Sequence, residues 1–89
     1  MAVLVAKLDQ QGNLIKHIAI GNIPSKKYEN ILATAVDYAR ANLFIGKTLG
    51  KYSFKSIVIE FDEYSISLVS KADGYMMIAT LREEAMASS

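Results

Sequence analysis

Apolar and polar positions along the chain follow two different rhythms. From Ser25 to about Ile45, SKKYENILATAVDYARANLFI, apolar residues recur at helical spacing: Tyr28, Ile31, Leu32, Ala35, Val36, Tyr38, Ala39, Leu43 and Ile45 fall on one arc. Glu29, Asn30, Asp37 and Arg40 fall opposite. Pro24 precedes this stretch and Ser25 is placed to cap it, while Gly46 and Lys47 carry the marks of a helix end. Elsewhere the rhythm is short and strand-like. Ala2 to Leu8 and Leu14 to Ile20 read as a hairpin around Asp9-Gln10-Gln11-Gly12-Asn13. Phe54 to Phe61, Tyr64 to Ser70 and Tyr75 to Leu81 read as three further strands, the last two joined by Ala72-Asp73-Gly74. Arg82 to Ser89 reads as a short helical end or a frayed tail. The order is ββαβββ, an α+β fold: a five-stranded antiparallel sheet with one long central helix on one face, in a single domain over residues 1–89.

The apolar arc of the helix covers about half its circumference, more than the ~100° stripe a helix needs to sit on one sheet. It also contains Asn42, whose amide needs partners if buried. Either the helix lies deep in its own core, or one edge of the arc meets a second copy, with Ala35 and Ala39 small enough for close helix approach. The strands raise a related problem. Val3-Leu4-Val5, Leu14-Ile15, Ile57-Val58-Ile59, Leu68-Val69 and Met76-Met77-Ile78 place apolar groups on both faces of the sheet, where one wet face would show polar residues. Six such side chains left exposed forfeit about 10 kcal/mol of burial, comparable with the stability of a small domain. Self-association or a stable protein partner is therefore expected.

Composition narrows the class. The 89 residues hold no cysteine, which excludes disulfides and thiolate metal sites and fits a reducing cytosol. Ten basic and nine acidic residues give a net charge of +1, against an electrostatic nucleic-acid or membrane partner. The amino terminus, MAVLVAKLD, reaches Lys7 and Asp9 too soon for a signal core or a membrane span, so a cytoplasmic location and no membrane insertion are expected.

Candidate chemistry is thin. Gly46-Lys47-Thr48 imitates the end of a phosphate-binding loop, but Ala41 stands where the first glycine is required and the stretch follows a helix instead of opening one. His17 is the single histidine and has no thiol partner for a metal. Glu60, Asp62 and Glu63 cluster at one turn, and Glu83-Glu84 begins the tail; such carboxylates are usually a solvated rim. Lys26, Lys27, Arg40, Lys47 and Lys51 are too scattered for nucleic-acid recognition. Neither catalytic residues nor a cofactor or metal is expected.

The layout resembles the roadblock / dynein light chain family. The likeness is carried by the first strand ending in Asp9, the Gly12-Asn13 turn, the helix holding ILATAVDYA at 31–39, the strand SIVIEF at 56–61 and the hairpin DGYMM at 73–77. Longin and profilin-like domains share the shape. Family members resemble αββαβββα; the chain lacks the first helix of that pattern and holds at most a stub of the last, the two elements that normally cover the second sheet face. The resemblance implies a non-catalytic scaffold or regulator that forms a homodimer or tetramer and binds a small Ras-like GTPase. It implies a dimer interface at Ile31, Ala35, Tyr38, Asn42, Lys55, Ile57 and Ile59. The exposed helix residues Asn30, Thr34, Asp37 and Arg40 are then left for partner contact. The alternative is a small-ligand sensor or adaptor module of longin- or profilin-like shape, with a pocket between helix and sheet.

Overall fold

A computed structural model describes residues 2–49 and 55–82. Strands β1 (Ala2–Leu8) and β2 (Leu14–Ile20) form the leading hairpin, α1 (Ser25–Leu49) follows, and β3 (Ser56–Glu60), β4 (Tyr64–Lys71) and β5 (Gly74–Leu81) form a meander. All pairings are antiparallel, in the spatial order β2-β1-β5-β4-β3. The hairpin thus docks β1 against the last strand, and β2 and β3 become the two edges.

The strand residues on the helix side interlock with α1. Leu4 and Leu8 of β1, Ile66 and Leu68 of β4, and Met77 and Leu81 of β5 are fully buried with Ile31 of the helix. Ala35 and Ala39 are buried in the same cluster. Their small side chains let the helix settle on its own sheet, which is where the sequence had offered them to a twin helix.

Turn chemistry sets the hairpins. In the β1–β2 turn, Asp9 Oδ1 accepts from the backbone N–H groups of Gln11 and Asn13 at 2.9 and 2.8 Å, and Gly12 takes φ +82°. A one-residue bulge follows: Leu8 pairs with Leu14 but Lys7 with Lys16, leaving Ile15 extra on the β2 side. At the β4–β5 turn Gly74 has φ +146°, and a Cβ there would lie 2.0 Å from the Leu8 carbonyl oxygen. Only glycine lets β5 pass this close to the end of β1.

Three boundaries differ from the sequence reading. The helix does not stop at Gly46 but continues to Leu49, and Gly46 is not among the positive-φ glycines. Its first bond runs from the Tyr28 N–H to the Pro24 carbonyl at 2.9 Å, so the cap falls on Pro24 and not on Ser25. The third strand begins at Ser56; Phe54, Lys51 and the tail from Glu83, including the Glu83-Glu84 pair, lie outside the described residues.

Candidate functional site

The helix meets the sheet along a narrow stripe. Ile31, Ala35, Ala39 and Asn42 lie within about 80° of arc and are buried. Two contacts orient the flanks. On one side Tyr28 reaches β2, its hydroxyl 2.6 Å from His17 Nδ1. On the other, Lys27 pairs with Glu63 in the β3–β4 turn at 2.5 Å. The flank continuing from Lys27 through Thr34, Tyr38, Ala41 and Ile45 therefore runs along the β3 side of the molecule. Thr34, Tyr38 and Ile45 on it are half-buried, as are Ile57 and Ile59 on the helix side of the edge strand.

These placements divide the residues singled out from sequence. Ile31, Ala35 and Asn42 were expected at a dimer seam, but they have almost no surface left for a partner because they pack on the chain's own sheet. Asn42 finds its partner inside, donating from Nδ2 to the Tyr75 hydroxyl of β5 at 2.9 Å. No buried side-chain nitrogen or oxygen among the described residues lacks a hydrogen bond. Tyr38, Ile57 and Ile59 remain half-exposed, and Lys55 is exposed at the entry to β3. The Lys55 carbonyl accepts from the Ser70 N–H at 2.7 Å, which ties the entry to β3 onto β4.

Of the four residues expected to face a partner, Asn30, Asp37 and Arg40 are exposed and Thr34 is half-buried on the β3 flank. Thr34 also returns its hydroxyl to the Asn30 carbonyl at 2.7 Å. Arg40 is partly committed: it donates to Asn13 Oδ1 at 2.9 Å, and its aliphatic stem covers Gly12. The structure adds Phe44, 69% exposed on the outward row with Asn30 and Asp37. A phenylalanine seven residues beyond Asp37, on the polar side of the helix, was the available signal.

The remaining chemistry is structural. Gly46, Lys47 and Thr48 lie in the last turn of α1, at the negative end of the helix dipole, where a phosphate is repelled. Glu63 is paired with Lys27, and Glu60 lies 3.9 Å from Arg82, whose guanidinium also donates to the Phe61 carbonyl. No group of three potential metal ligands occurs among the described residues. No helix among them is long and apolar enough to cross a membrane. A shallow groove of about 340 Å³ lies beside the helix start, lined by Pro24, Lys26, Lys27, Asn30, Glu63 and Tyr64.

No protein-family model matches the sequence, and no curated protein does. Solved structures do match in shape. A Roadblock/LC7 domain from Streptomyces avermitilis superposes with a TM-score of 0.55 at 15% identity, over 92% of this chain and 66% of that one. MglB from Myxococcus xanthus gives 0.58 at 15% identity, over 90% and 64%. An MglB in a tetrameric arrangement gives 0.56 at 16% identity, over 94% and 61%. The chain thus spans less than two thirds of the length of each. Sheet order, helix placement and these superpositions agree that the chain has the roadblock fold.

Proposed function

We propose that the protein is a non-catalytic roadblock-type regulator or scaffold that works in the cytosol as a homo-oligomer and binds a small Ras-like GTPase. One observation carries the reading: β3 is an open edge with half-buried Ile57 and Ile59 on its helix side, and Tyr38 and Ile45 are half-buried on the helix flank that Lys27 ties to the β3–β4 turn. A two-fold at that edge joins two sheets edge to edge and sets two helices side by side, satisfying the unpaired backbone of the edge strand. The outward rows of Asn30, Asp37 and Phe44 from both copies then form a continuous helical surface for the GTPase. The roadblock fold and the tetrameric arrangement of one MglB support this assembly.

The test has two parts. Light scattering of the purified protein is expected to give a multiple of 9.8 kDa, reduced by Tyr38→Arg. Surface plasmon resonance against purified Ras-like GTPases, loaded with GDP or with a non-hydrolysable GTP analogue, is expected to show nucleotide-dependent binding that Phe44→Ala and Asp37→Arg weaken. Absence of binding in both nucleotide states refutes the GTPase reading, and equal binding in both refutes a nucleotide-sensing role. An unchanged mass on Tyr38→Arg refutes the seam.

A further inference from the structure

Eight of the fifteen positions on the face of the sheet turned away from α1 are apolar. Register places its residues in three rows across β2, β1, β5, β4 and β3: Ile20, Val3, Thr80, Ser65, Glu60; Ile18, Val5, Ile78, Ser67, Val58; Lys16, Lys7, Met76, Val69, Ser56. Ile18, Ile20 and Val58 are each more than 60% exposed, and Ile78 and Met76 about 40%. A concavity of about 300 Å³ opens there against Val5, Lys16, Ile18 and Met76. Among the described residues nothing packs over this face.

We infer that this face is covered by the same face of a second copy, in a sheet-on-sheet interface separate from the β3 edge. Size is the first argument. Five strands about 4.8 Å apart and about seven residues long present about 500 Å² per copy in projection, so pairing hides about 1,000 Å², the lower bound for a biological interface. Charge is the second. Lys16 stands at one corner, beside Lys7, which is paired with Asp73, and Glu60 stands at the corner diagonally opposite, 3.9 Å from Arg82.

A two-fold lying between the sheets, through Ile78 and at about 35° to the strands, exchanges those corners. Lys16 of one copy then stands over Glu60 of the other, twice. The same axis passes over Val3, Ile78 and Val69, so the residues that meet their own copies are all apolar. The strands cross at about 70°, nearer the orthogonal than the aligned class of sheet packing. A two-fold parallel to the strands would instead set Glu60 over Ile20, and one perpendicular to them would set Lys16 over Ile20. The charge pattern selects the diagonal. This interface rests on the open face alone and not on the proposed β3 seam or on GTPase binding.

The absence of cysteine makes the test direct, since an introduced thiol is the only one. Ile78→Cys lies on the axis and is expected to cross-link into a covalent dimer with a short bismaleimide at micromolar protein, while Asp37→Cys on the outer helix face is not. Lys16→Glu and Glu60→Lys are each expected to weaken this association about tenfold, and the double variant to restore it. Ile18→Lys with Ile78→Lys is expected to halve the mass of an assembly that uses both interfaces, with the circular dichroism of the fold retained. Tyr38→Arg leaves the Ile78→Cys cross-link intact, which separates failure of this inference from failure of the β3 seam. A chain ending at Arg82 is expected to cross-link equally. The inference is overturned if Ile78→Cys stays monomeric under the reagent, if the charge-exchanged double variant is no better than the singles, or if removing residues 83–89 is what creates the association.

Discussion

The Asn42–Tyr75 hydrogen bond is the sharpest test of how the helix is seated. Asn42 lies in the middle of the apolar arc and is buried at 5% exposure, with its amide 2.9 Å from the hydroxyl of Tyr75, itself 6% exposed. Tyr75→Phe keeps the ring and removes the hydroxyl that accepts from the Asn42 amide. The net loss of one such hydrogen bond costs about 0.5–1.5 kcal/mol. For a domain of this size each kcal/mol moves the melting temperature by about 4–8 °C, so a drop of about 2–12 °C is expected. Asn42→Leu removes the amide at similar volume. Combined with Tyr75→Phe, it should cost less than the sum of the two singles, by a coupling of about 1 kcal/mol, because both singles remove the same hydrogen bond. Urea unfolding of the four proteins at one protein concentration measures the cycle, since association makes apparent stability concentration-dependent. Light scattering of the same samples supplies the contrary outcome. If Tyr75→Phe changes stability by less than 0.5 kcal/mol while Asn42→Leu lowers the assembly mass, Asn42 serves a seam between copies and the packing described for α1 is wrong.

Other predictions follow from the turns and the helix end. Gly74→Ala is expected to destabilise by about 3 kcal/mol or more, because its Cβ would stand 2.0 Å from the backbone oxygen of Leu8 and its φ of +146° strains any other residue; a melting temperature within 2–3 °C of wild type would refute that. Gly46→Ala should stabilise by about 0.5–1 kcal/mol, since Gly46 lies inside the helix. Loss of stability instead would show that Gly46 is the left-handed cap suggested by sequence. Asp9 is held below its ordinary value of 3.8, first by the Asn13 backbone N–H and further by the Asn13 side chain and the Gln11 N–H. A folded value below the unfolded one means that its stabilisation is present above pH 3.8 and is lost as pH falls through the folded value. Asp9→Asn should therefore flatten the acid limb of a stability–pH curve; an unchanged limb, measured by urea midpoints from pH 2 to 6, would refute the role. Asp73, lowered mainly by its hydrogen bond to Lys7, adds to the same limb, and Lys7→Met should shift it.

Much of the architecture was legible in order because local physics writes it locally. Short apolar runs bounded by turn residues set β1 and β2 to their ends, and Asp9 through Asn13 and Ala72 through Gly74 carry turn chemistry that needs no distant partner. The ββαβββ order and the doubly apolar strands came from the same patterns, and with them the expectation that something covers the second face. Helix ends were less legible. Gly46 has the composition of a cap, but a glycine is also tolerated inside a helix at about 1 kcal/mol, and the helix continues to Leu49.

What only the tertiary structure decided is which edge of a wide apolar arc faces inward. Ile31, Ala35 and Asn42 and their neighbours Tyr38 and Ile45 are equivalent as sequence, all on one side of a cylinder. Strand order settles the difference: β5 lies at the centre of the sheet and carries Tyr75 to Asn42, which draws the stripe from Ile31 to Asn42 into the core. Tyr38 and Ile45 on the helix and Ile57 and Ile59 on the edge strand β3 are left half-exposed. The diagonal placement of Lys16 and Glu60 on the open face has the same origin. Those residues are 44 positions apart in the chain, and only the register of five strands turns that separation into opposite corners of one surface.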